Sequence, residues 1–556
     1  MTERGRKRLA PQKRRPSNDR RKRRARPFDV RYRDLGHRTL PRGRIIPHRR
    51  HTSRELAALI RRCYAWRTDY VRAGPWSERL VASPGEGGQT STPDGPQPGG
   101  KPMNVRKSLR LGAMFLVWAA TALAQGPKPV KVEFTDVRLE NGLRVILVED
   151  HSAPVVSLCV TYNVGSRNER PGRTGFAHLF EHMMFQGSEN VGKGEHFLLI
   201  FNTGGDMNGT TNEERTNYFQ TVPANQLDLV LFLEADRMRS LDVSQQNLDN
   251  QRQVVQEERR LGLDNQPYGR SREKLQELLY DNFAYKHLVI GSMEDLNAAT
   301  LEDVREFFRT YYAPNNAVLT LVGDFRTEEA LAKIRHYFGG IPRQPDPPPV
   351  DVTEPEQTAE RRATVEDPLA RLPRVDIAFK TVPGNTPDFY ALQVLANVLH
   401  GGQSSRLYQK LVREKELVTS VSGFVDEKRA PGGFYITAML RPGKRVEEVE
   451  AAIAEEIERL QREPIADWEL TKAKNTARRA FINAIASSLS RAILLGQYAV
   501  YYGDPNVINT RLEHIMAVTK EDVQRVAQRY LRPTNRTVVI TIPKAASLPA
   551  QEEGGR

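Results

Sequence analysis

The stretch Gly175-Phe-Ala-His178-Leu-Phe-Glu181-His182-Met-Met-Phe185 carries the strongest structural signal in the chain. At about 100° per residue, a helix places His178, Glu181 and His182 within one arc of roughly 100°. Two imidazoles one helical turn apart can bind a single zinc ion through their ring nitrogens. Burying three ionisable side chains in an apolar helix would be costly without a metal to compensate. The stretch therefore predicts a buried helix with a zinc site on one face.

The order of the three residues also indicates a chemistry. Glu181 lies between the two histidines, near the open coordination position, where its carboxylate can take a proton from an attacking water. This H-x-x-E-H order is the inverse of H-E-x-x-H and is found in a class of zinc metallopeptidases. The alternative is a chance match on a solvated helix face, which the apolar neighbours argue against.

A catalytic zinc site needs a third protein ligand. The candidates are Glu257 and Glu258 in Arg252-Gln-Val-Val-Gln-Glu-Glu-Arg-Arg260, and spacing alone does not separate them. Without the upstream motif, both would be ordinary charges on a polar helix. The two segments together resemble the pitrilysin/insulinase-type zinc peptidases, in which H-x-x-E-H is followed at a similar spacing by a ligand Glu in a V-V-x-E-E context. The resemblance implies that Glu258 is the third ligand of one zinc ion per chain.

The resemblance spans residues 130–545 and is greatest to the two-domain branch of bacterial processing peptidases and the mitochondrial processing peptidase beta subunit. It implies an α+β fold of two homologous domains, each an antiparallel-rich sheet packed with helices. An internal repeat agrees with this, because the segment 300–321 recurs as 519–540. Each copy has a Thr-capped helix with acids in its first turn, then a Pro break and a strand. The second copy has no H-x-x-E-H, so we expect it to be inactive.

The positive charge is concentrated at the N-terminus. The chain carries a net charge of +15, yet residues 1–102 hold 27 Lys and Arg against 9 Asp and Glu, so the remainder is close to neutral at −3. Such a basic leader is expected to be disordered. A basic leader can also be a nucleic-acid-binding arm. A nucleic-acid-binding protein is therefore the alternative function outside the peptidases.

A secretory signal peptide follows the leader. Residues 103–110 are a basic n-region, residues 111–120 are apolar, and Ala122-Leu-Ala124 is a cleavage site. The apolar run is short for a transmembrane helix, so no stable membrane span is expected after cleavage. Because a signal peptide belongs at a start codon, we expect Met103 to be the true start and residues 1–102 to be a mis-assigned extension. The protein is then exported, to a periplasm or outside the cell, without nucleic acid as a partner.

The predicted boundaries follow from these segments. Cys63 lies in the leader, so Cys159 alone would remain after cleavage, as a buried strand residue without an intrachain disulfide. The segments are the leader at 1–102, the signal peptide at 103–124, the zinc domain at 125–340, an exposed Pro-rich linker at 341–370, the second domain at 371–545 and a tail at 546–556.

Two further segments match the family by motif. Gly204-Gly-Asp-Met-Asn-Gly-Thr-Thr211 resembles its G-G-x-x-N-A-x-T turn, with Gly209 in place of Ala, and leads into the strand of Tyr218. There a peptide substrate would add as an extra strand; without the family, an ordinary hairpin would be the simpler interpretation. In the second domain, His400 to Lys415 matches G-G-x-S-S-R-L … R-E-K. The resemblance implies substrate contacts at Asn208, Gly209, Thr211, Tyr218 and Arg413.

Two positions depart from the family pattern. Thr419 stands where many active members have a Tyr that works with the Arg, and Gln251 stands where some have an active-site Glu. The predicted function is an exported zinc metalloendopeptidase acting on peptides or unfolded polypeptides, with Glu181 as general base. The alternative within the family is a catalytically weak or silent subunit. The resemblance further implies a homodimer, or a heterodimer with a paralogue.

Overall fold

The computed structural model describes residues 131–544. The predicted leader, signal peptide and tail lie outside this range. Within residues 131–544, no helix combines the length and the apolar character needed to cross a bilayer.

The first sheet is built from strands on both sides of the metal-motif helix in sequence. Its strands are β1 (Thr135–Arg138), β2 (Arg144–Glu149), β3 (Val155–Tyr162), β4 (Asp206–Thr211), β5 (Thr216–Pro223) and β6 (Ala317–Gly323). Their spatial order is β1-β2-β6-β3-β5-β4, with β2 and β6 parallel and the other neighbours antiparallel. Strand β4 is therefore an edge, whereas β5 lies between β3 and β4.

Helices pack on one face of this sheet around a continuous apolar core. The helices of this half of the chain are α1 (Phe176–Met183), α2 (Glu195–Asn202), α3 (Leu227–Ser240), α4 (Gln245–Arg259), α5 (Gly269–Leu279), α6 (Phe283–Lys286), α7 (Met293–Ala298), α8 (Leu301–Tyr311) and α9 (Thr327–Phe338); all but α5 and α6 contribute to this core. Helix α1 is the predicted metal helix, and its Phe180 and Met183 are buried in the core. Cys159 is also buried, on β3, and burial raises the pKa of its thiol to about 11.

The second domain repeats this plan. Its strands are β7 (Arg361–Asp367), β8 (Arg374–Lys380), β9 (Val418–Val425), β10 (Gly433–Leu440) and β11 (Arg536–Pro543). Its helices are α10 (Pro387–His400), α11 (Val446–Arg462), α12 (Asp467–Ala486), α13 (Ser488–Tyr502), α14 (Val507–Ala517) and α15 (Lys520–Tyr530). The order β7-β11-β8-β10-β9 corresponds to β2-β6-β3-β5-β4, again with one parallel pair, and confirms the predicted duplication.

The duplication extends to single hydrogen bonds. Thr300 and Thr519 both form capping boxes with the Asp three residues later, at the starts of α8 and α15. After each helix an Asn side chain turns back to bond the helix end: Asn316 donates to the Tyr311 carbonyl at 2.8 Å, and Asn535 donates to that of Tyr530 at 2.8 Å. The second domain therefore repeats the hydrogen bonds at both ends of this helix, although it lacks the metal motif.

The predicted linker at 341–370 extends too far. Residues 361–367 form β7, which pairs in parallel with β11. The preceding segment is also anchored, because Gln357 is buried and Glu354 accepts hydrogen bonds from the backbone N–H groups of Asp281 and Asn282. Charged residues on an exposed edge strand give no apolar alternation, which is why the sequence pattern concealed it.

Each sheet is covered on its second face by a helix from the other half of the chain. Helix α13 packs on β3 and β6, where the Thr320 hydroxyl donates to the Ala492 carbonyl at 2.8 Å. A Cβ at Gly496 would lie 2.6 Å from the Thr161 Oγ1, so glycine lets this helix approach closely. Reciprocally, α5 packs on β7, β8 and β11. The two domains are interlocked rather than merely joined.

Candidate metal centre

The metal helix begins at a buried, side-chain-capped N-terminus. Gly175 has a φ of +85°, and a Cβ there would lie 2.8 Å from the Ile290 carbonyl oxygen. The carboxylate of Glu169 accepts hydrogen bonds from the backbone N–H groups of Gly175 at 2.9 Å and Ala177 at 2.8 Å. These bonds satisfy two donors of the first turn and place negative charge at the positive end of the helix.

His287 supports this cap, since its Nε2 lies 2.9 Å from Glu169 Oε2. Burial raises the pKa of the Glu169 carboxyl, while the imidazole and the two backbone donors oppose that shift. The sequence analysis missed both residues. Glu169 lies in an irregular segment before the helix, and His287 follows the helix by more than a hundred residues. No sequence periodicity therefore links either residue to the motif.

Three side chains converge on one point between α1 and α4. Oxygen Oε2 of Glu258 lies 3.5 Å from Nε2 of His178 and 3.4 Å from Nε2 of His182. One ligand atom from each residue can be chosen so that all lie within 4.8 Å of one another. Two imidazole nitrogens and one carboxylate oxygen are the donor set of a catalytic zinc site with an open fourth position. The residues therefore fit the predicted metal.

The structure separates the two candidate third ligands. Glu257 points away from the cluster, is more than half exposed, and pairs with Arg260 at 3.0 Å. Glu258 is largely enclosed and faces both histidines. Neighbouring helical residues project about 100° apart, so only one of the two can face α1.

Glu181 lies on the same helix, buried and next to the cluster. One of its carboxylate oxygens is shielded from solvent and has no hydrogen-bond partner among the described residues. A buried carboxylate oxygen without a partner is costly in a finished structure. Its position one residue before His182 suits a group that exchanges a proton with a ligand at the open coordination position.

The edge strand β4 packs directly against this carboxylate side chain. A Cβ on Gly209 would lie 3.2 Å from Glu181 Cγ and 3.3 Å from the Phe185 ring. Asn208 and Thr211 lie on the same strand; the Asn208 side-chain oxygen accepts the Gly209 N–H at 2.8 Å. The structure thus places three of the predicted substrate-binding residues on an open sheet edge beside the metal centre.

The prediction that Tyr218 contacts the substrate is wrong. Tyr218 lies on β5, an interior strand, and its side chain is fully buried. Its ring lies under the Arg237 guanidinium, 4.5 Å from the centroid, and its hydroxyl is 3.3 Å from that of Tyr312. Strand β5 is paired with β3 on one side and β4 on the other, and the Tyr218 side chain points from it into the core. This phenol therefore packs in the core and does not contact a substrate.

The predicted second-domain residues lie on the surface around the other sheet edge. Arg413 is exposed in a π-helical segment, Tyr408–Glu414, with its guanidinium 5.9 Å from the Tyr408 ring centroid. Thr419 is on edge strand β9, where its hydroxyl donates to the Met439 carbonyl at 3.2 Å. The other departure from the family pattern, Gln251, lies in the first domain; it is buried on α4 and has no charge to contribute.

Comparisons with known proteins agree with the fold and identify the family. Residues 144–291 match the family described as Insulinase (Peptidase family M16), and residues 298–477 match the Peptidase M16 inactive domain. The chain is 30% identical over 447 residues to the zinc protease PqqE of Helicobacter pylori, covering 80% of this chain and all of that protein. It is 25% identical to a probable mitochondrial-processing peptidase subunit beta of Arabidopsis thaliana, covering 71% of this chain and 75% of that protein.

A solved structure has the same two-domain fold. The crystal structure of a protease from Helicobacter pylori superposes with a TM-score of 0.72 at 30% identity, covering 74% of this chain and all of that one. The matched domains, the repeated fold and the converging His178, His182 and Glu258 have one common explanation: the chain is a member of the M16 family of insulinase- and pitrilysin-like zinc peptidases, in its two-domain form.

Proposed function

We propose that this chain is a zinc metalloendopeptidase that cleaves peptides or unfolded polypeptides. The observation that carries the proposal is the position of the buried Glu181 carboxylate, between the converging His178, His182 and Glu258 and the open edge of β4. One zinc ion per chain would be held by those three ligands. When bound, it supplies Lewis acidity, which polarises a carbonyl and lowers the pKa of a water.

The protein groups then have separate roles. An extended peptide adds to β4 through backbone hydrogen bonds, which gives a sequence-tolerant grip. Glu181 accepts a proton from the attacking water and returns it to the leaving amine. The buried setting of this carboxylate excludes bulk water from the proton transfer. Asn208, Gly209 and Thr211 hold the peptide, and Arg413 of the second domain is a further contact for its carbonyl groups.

The assigned role of Glu181 is tested by Glu181→Gln. The amide keeps the shape but cannot accept the proton, so zinc content should stay unchanged while kcat falls by about 10²–10⁴-fold. Metal analysis and cleavage of a mixed peptide pool measure the two quantities on the same preparation. Near-normal turnover with zinc retained would remove the general-base assignment.

Thr419 favours a second candidate within the same family, a weak or silent subunit. A threonine whose hydroxyl already bonds the Met439 carbonyl cannot replace a phenol that reaches substrate. Under this alternative the chain binds zinc but cleaves peptides only with a partner that supplies the missing group. Adding a paralogue of the same family should then raise turnover well above that of the chain alone.

Assembly and location complete the proposal. Residues 131–544 contain one candidate metal centre and one Arg413 surface, so a dimer would let the second domain of one chain face the metal centre of another. The sequence Met103–Ala124 supports export. Sedimentation of the 125–556 form across a dilution series tests the dimer, and a fully active monomer would contradict it.

A further inference from the structure

The end of helix α4 decides where the third metal ligand lies. Glu258 is the penultimate residue of that helix, and the chain continues into a π-helical turn at Arg260–Asp264. Helix ends fray, whereas a zinc site needs its ligands placed to within about 0.2 Å. Something must therefore hold the last turn of α4 against α1.

Arg259, the residue after Glu258, makes the first of two connections there. It is buried, and its Nη1 donates to the Gly291 carbonyl at 2.5 Å. Gly291 packs backbone to backbone on the start of the metal helix, since a Cβ on it would lie 2.4 Å from the Gly175 nitrogen. Arg259 thus ties the helix that bears Glu258 to the helix that bears both histidines.

The second connection leads to the other domain. Arg259 Nη2 donates to both carboxylate oxygens of Glu273 on α5, at 3.0 and 3.2 Å. Helix α5 is itself fixed to the second sheet: the Tyr268 N–H donates to Asp367 Oδ2 at 2.6 Å, and the hydroxyls of Ser271 and Thr541 lie 2.5 Å apart. Tyr268 has a φ of +69°, a conformation that a non-glycine residue keeps only when its surroundings impose it.

We propose that Arg259 is a positioning residue for the metal centre: it holds Glu258 against His178 and His182 and fixes that position relative to the second sheet. A planar guanidinium can donate to a backbone carbonyl through one nitrogen and to both oxygens of a carboxylate through another, which a lysine ammonium cannot do with the same geometry. The inference rests on the proposed zinc site and adds to it a residue that touches neither metal nor substrate.

The test compares Arg259→Gln with Arg252→Gln on the same helix. Arg252 also donates to backbone carbonyls, those of Leu296 at 3.0 Å and Ala299 at 2.6 Å, but lies about two turns before Glu258. Zn²⁺ affinity is measured by competition with a chromophoric chelator, and the visible spectrum of the Co²⁺-loaded protein reports ligand geometry. Loss of a supporting contact typically weakens metal binding 10–100-fold. We expect that loss and an altered Co²⁺ spectrum in Arg259→Gln, with neither change in Arg252→Gln.

Two milder variants keep the inference testable if Arg259→Gln does not fold. Arg259→Lys retains the charge and Glu273→Gln removes only the connection to α5, so each should weaken Zn²⁺ binding by less than Arg259→Gln while altering the Co²⁺ spectrum. Wild-type affinity and spectrum in all foldable Arg259 and Glu273 variants would overturn the inference and leave the zinc site intact. If the unaltered chain fails to bind Zn²⁺, the proposed function itself fails first.

Discussion

Glu257 and Glu258 are neighbours in sequence with different surroundings, and they give a direct test of the metal site. Glu258 faces two imidazoles, whereas Glu257 pairs with Arg260 in solvent. Glu258→Gln should therefore lower the zinc content of the purified chain far more than Glu257→Gln. Metal analysis after dialysis measures the difference. Equal zinc content in the two variants would eliminate Glu258 as the third ligand.

His400 provides a prediction about pH. It is buried at the end of α10, its Nε2 has no hydrogen-bond partner among the described residues, and burial lowers its pKa from 6.5 to about 4. Between these values the unfolded chain binds a proton that the folded chain does not, so stability falls as the pH falls from 7 towards 4. The loss attributable to this group should be roughly 2 kcal/mol at pH 5.

Replacing the imidazole tests this assignment. His400→Gln cannot be protonated, so it should lose less unfolding free energy than the unaltered chain between pH 7 and pH 5. Urea denaturation at the two pH values gives the comparison, and the absolute cost of the substitution at pH 7 cancels from it. Identical pH dependence in both proteins would show that His400 does not titrate as described.

Many of the individual site residues were predictable from the sequence because residues on one face of a helix recur with a fixed period. Helical geometry alone placed His178, Glu181 and His182 on one face, and the family resemblance selected Glu258. Tyr218 was misplaced because a sequence shows that strand residues alternate but not which strand is an edge. Glu169 and Arg259 were missed because their roles depend on His287, Gly291 and Glu273, which are distant in the chain.

Strand β4 and helix α1 meet at Gly209, and this contact between elements can be tested. A methyl group there would lie 3.1–3.3 Å from Tyr218, Glu181 and Phe185, a few tenths of an ångström too close. Although the family pattern has Ala at this position, Gly209→Ala should, in the packing of this chain, retain zinc but shift the Glu181 side chain. Because a 1 Å misplacement can cost about 10²-fold in rate, we expect a smaller loss of roughly 2–10-fold in kcat.

The matched control is Gly262→Ala in the π-helical turn after α4. A Cβ at Gly262 meets no atom within 4 Å, so this substitution should leave kcat unchanged. If Gly209→Ala and Gly262→Ala have the same kcat as the unaltered chain, the packing of β4 on Glu181 is looser than the structure shows.

At the level of elements, the repeat predicted the second domain well. Segments 300–321 and 519–540 form the same capped helix, turn and strand, as expected. Strand β7 was not predicted because its alternating exposed residues are polar or charged and its partner β11 follows more than 150 residues later. Pairing with a distant strand, rather than local propensity, makes it a strand.

The interlocking of the two domains is a property of the whole molecule that local sequence patterns do not reveal. The face of the first sheet that carries Ile146, Val148, Val318 and Val322 is buried mainly by the second-half helices α12, α13 and α14. A fragment comprising residues 131–341 should therefore expose a large apolar face and aggregate. Size-exclusion chromatography and thermal denaturation of this fragment, beside the 125–556 form, measure the effect. A monomeric fragment with a cooperative transition would contradict the interdependence.

The central claim is that this fold is a peptidase whose activity depends on zinc. The most direct measurement is cleavage of a mixed peptide library by the 125–556 form, before chelation, after chelation, and after Zn²⁺ is restored. We predict cleavage that chelation abolishes and that one equivalent of Zn²⁺ per chain restores, in the unaltered chain but not in Glu181→Gln. Cleavage that survives complete removal of the metal, or that is equal in Glu181→Gln, would contradict the account.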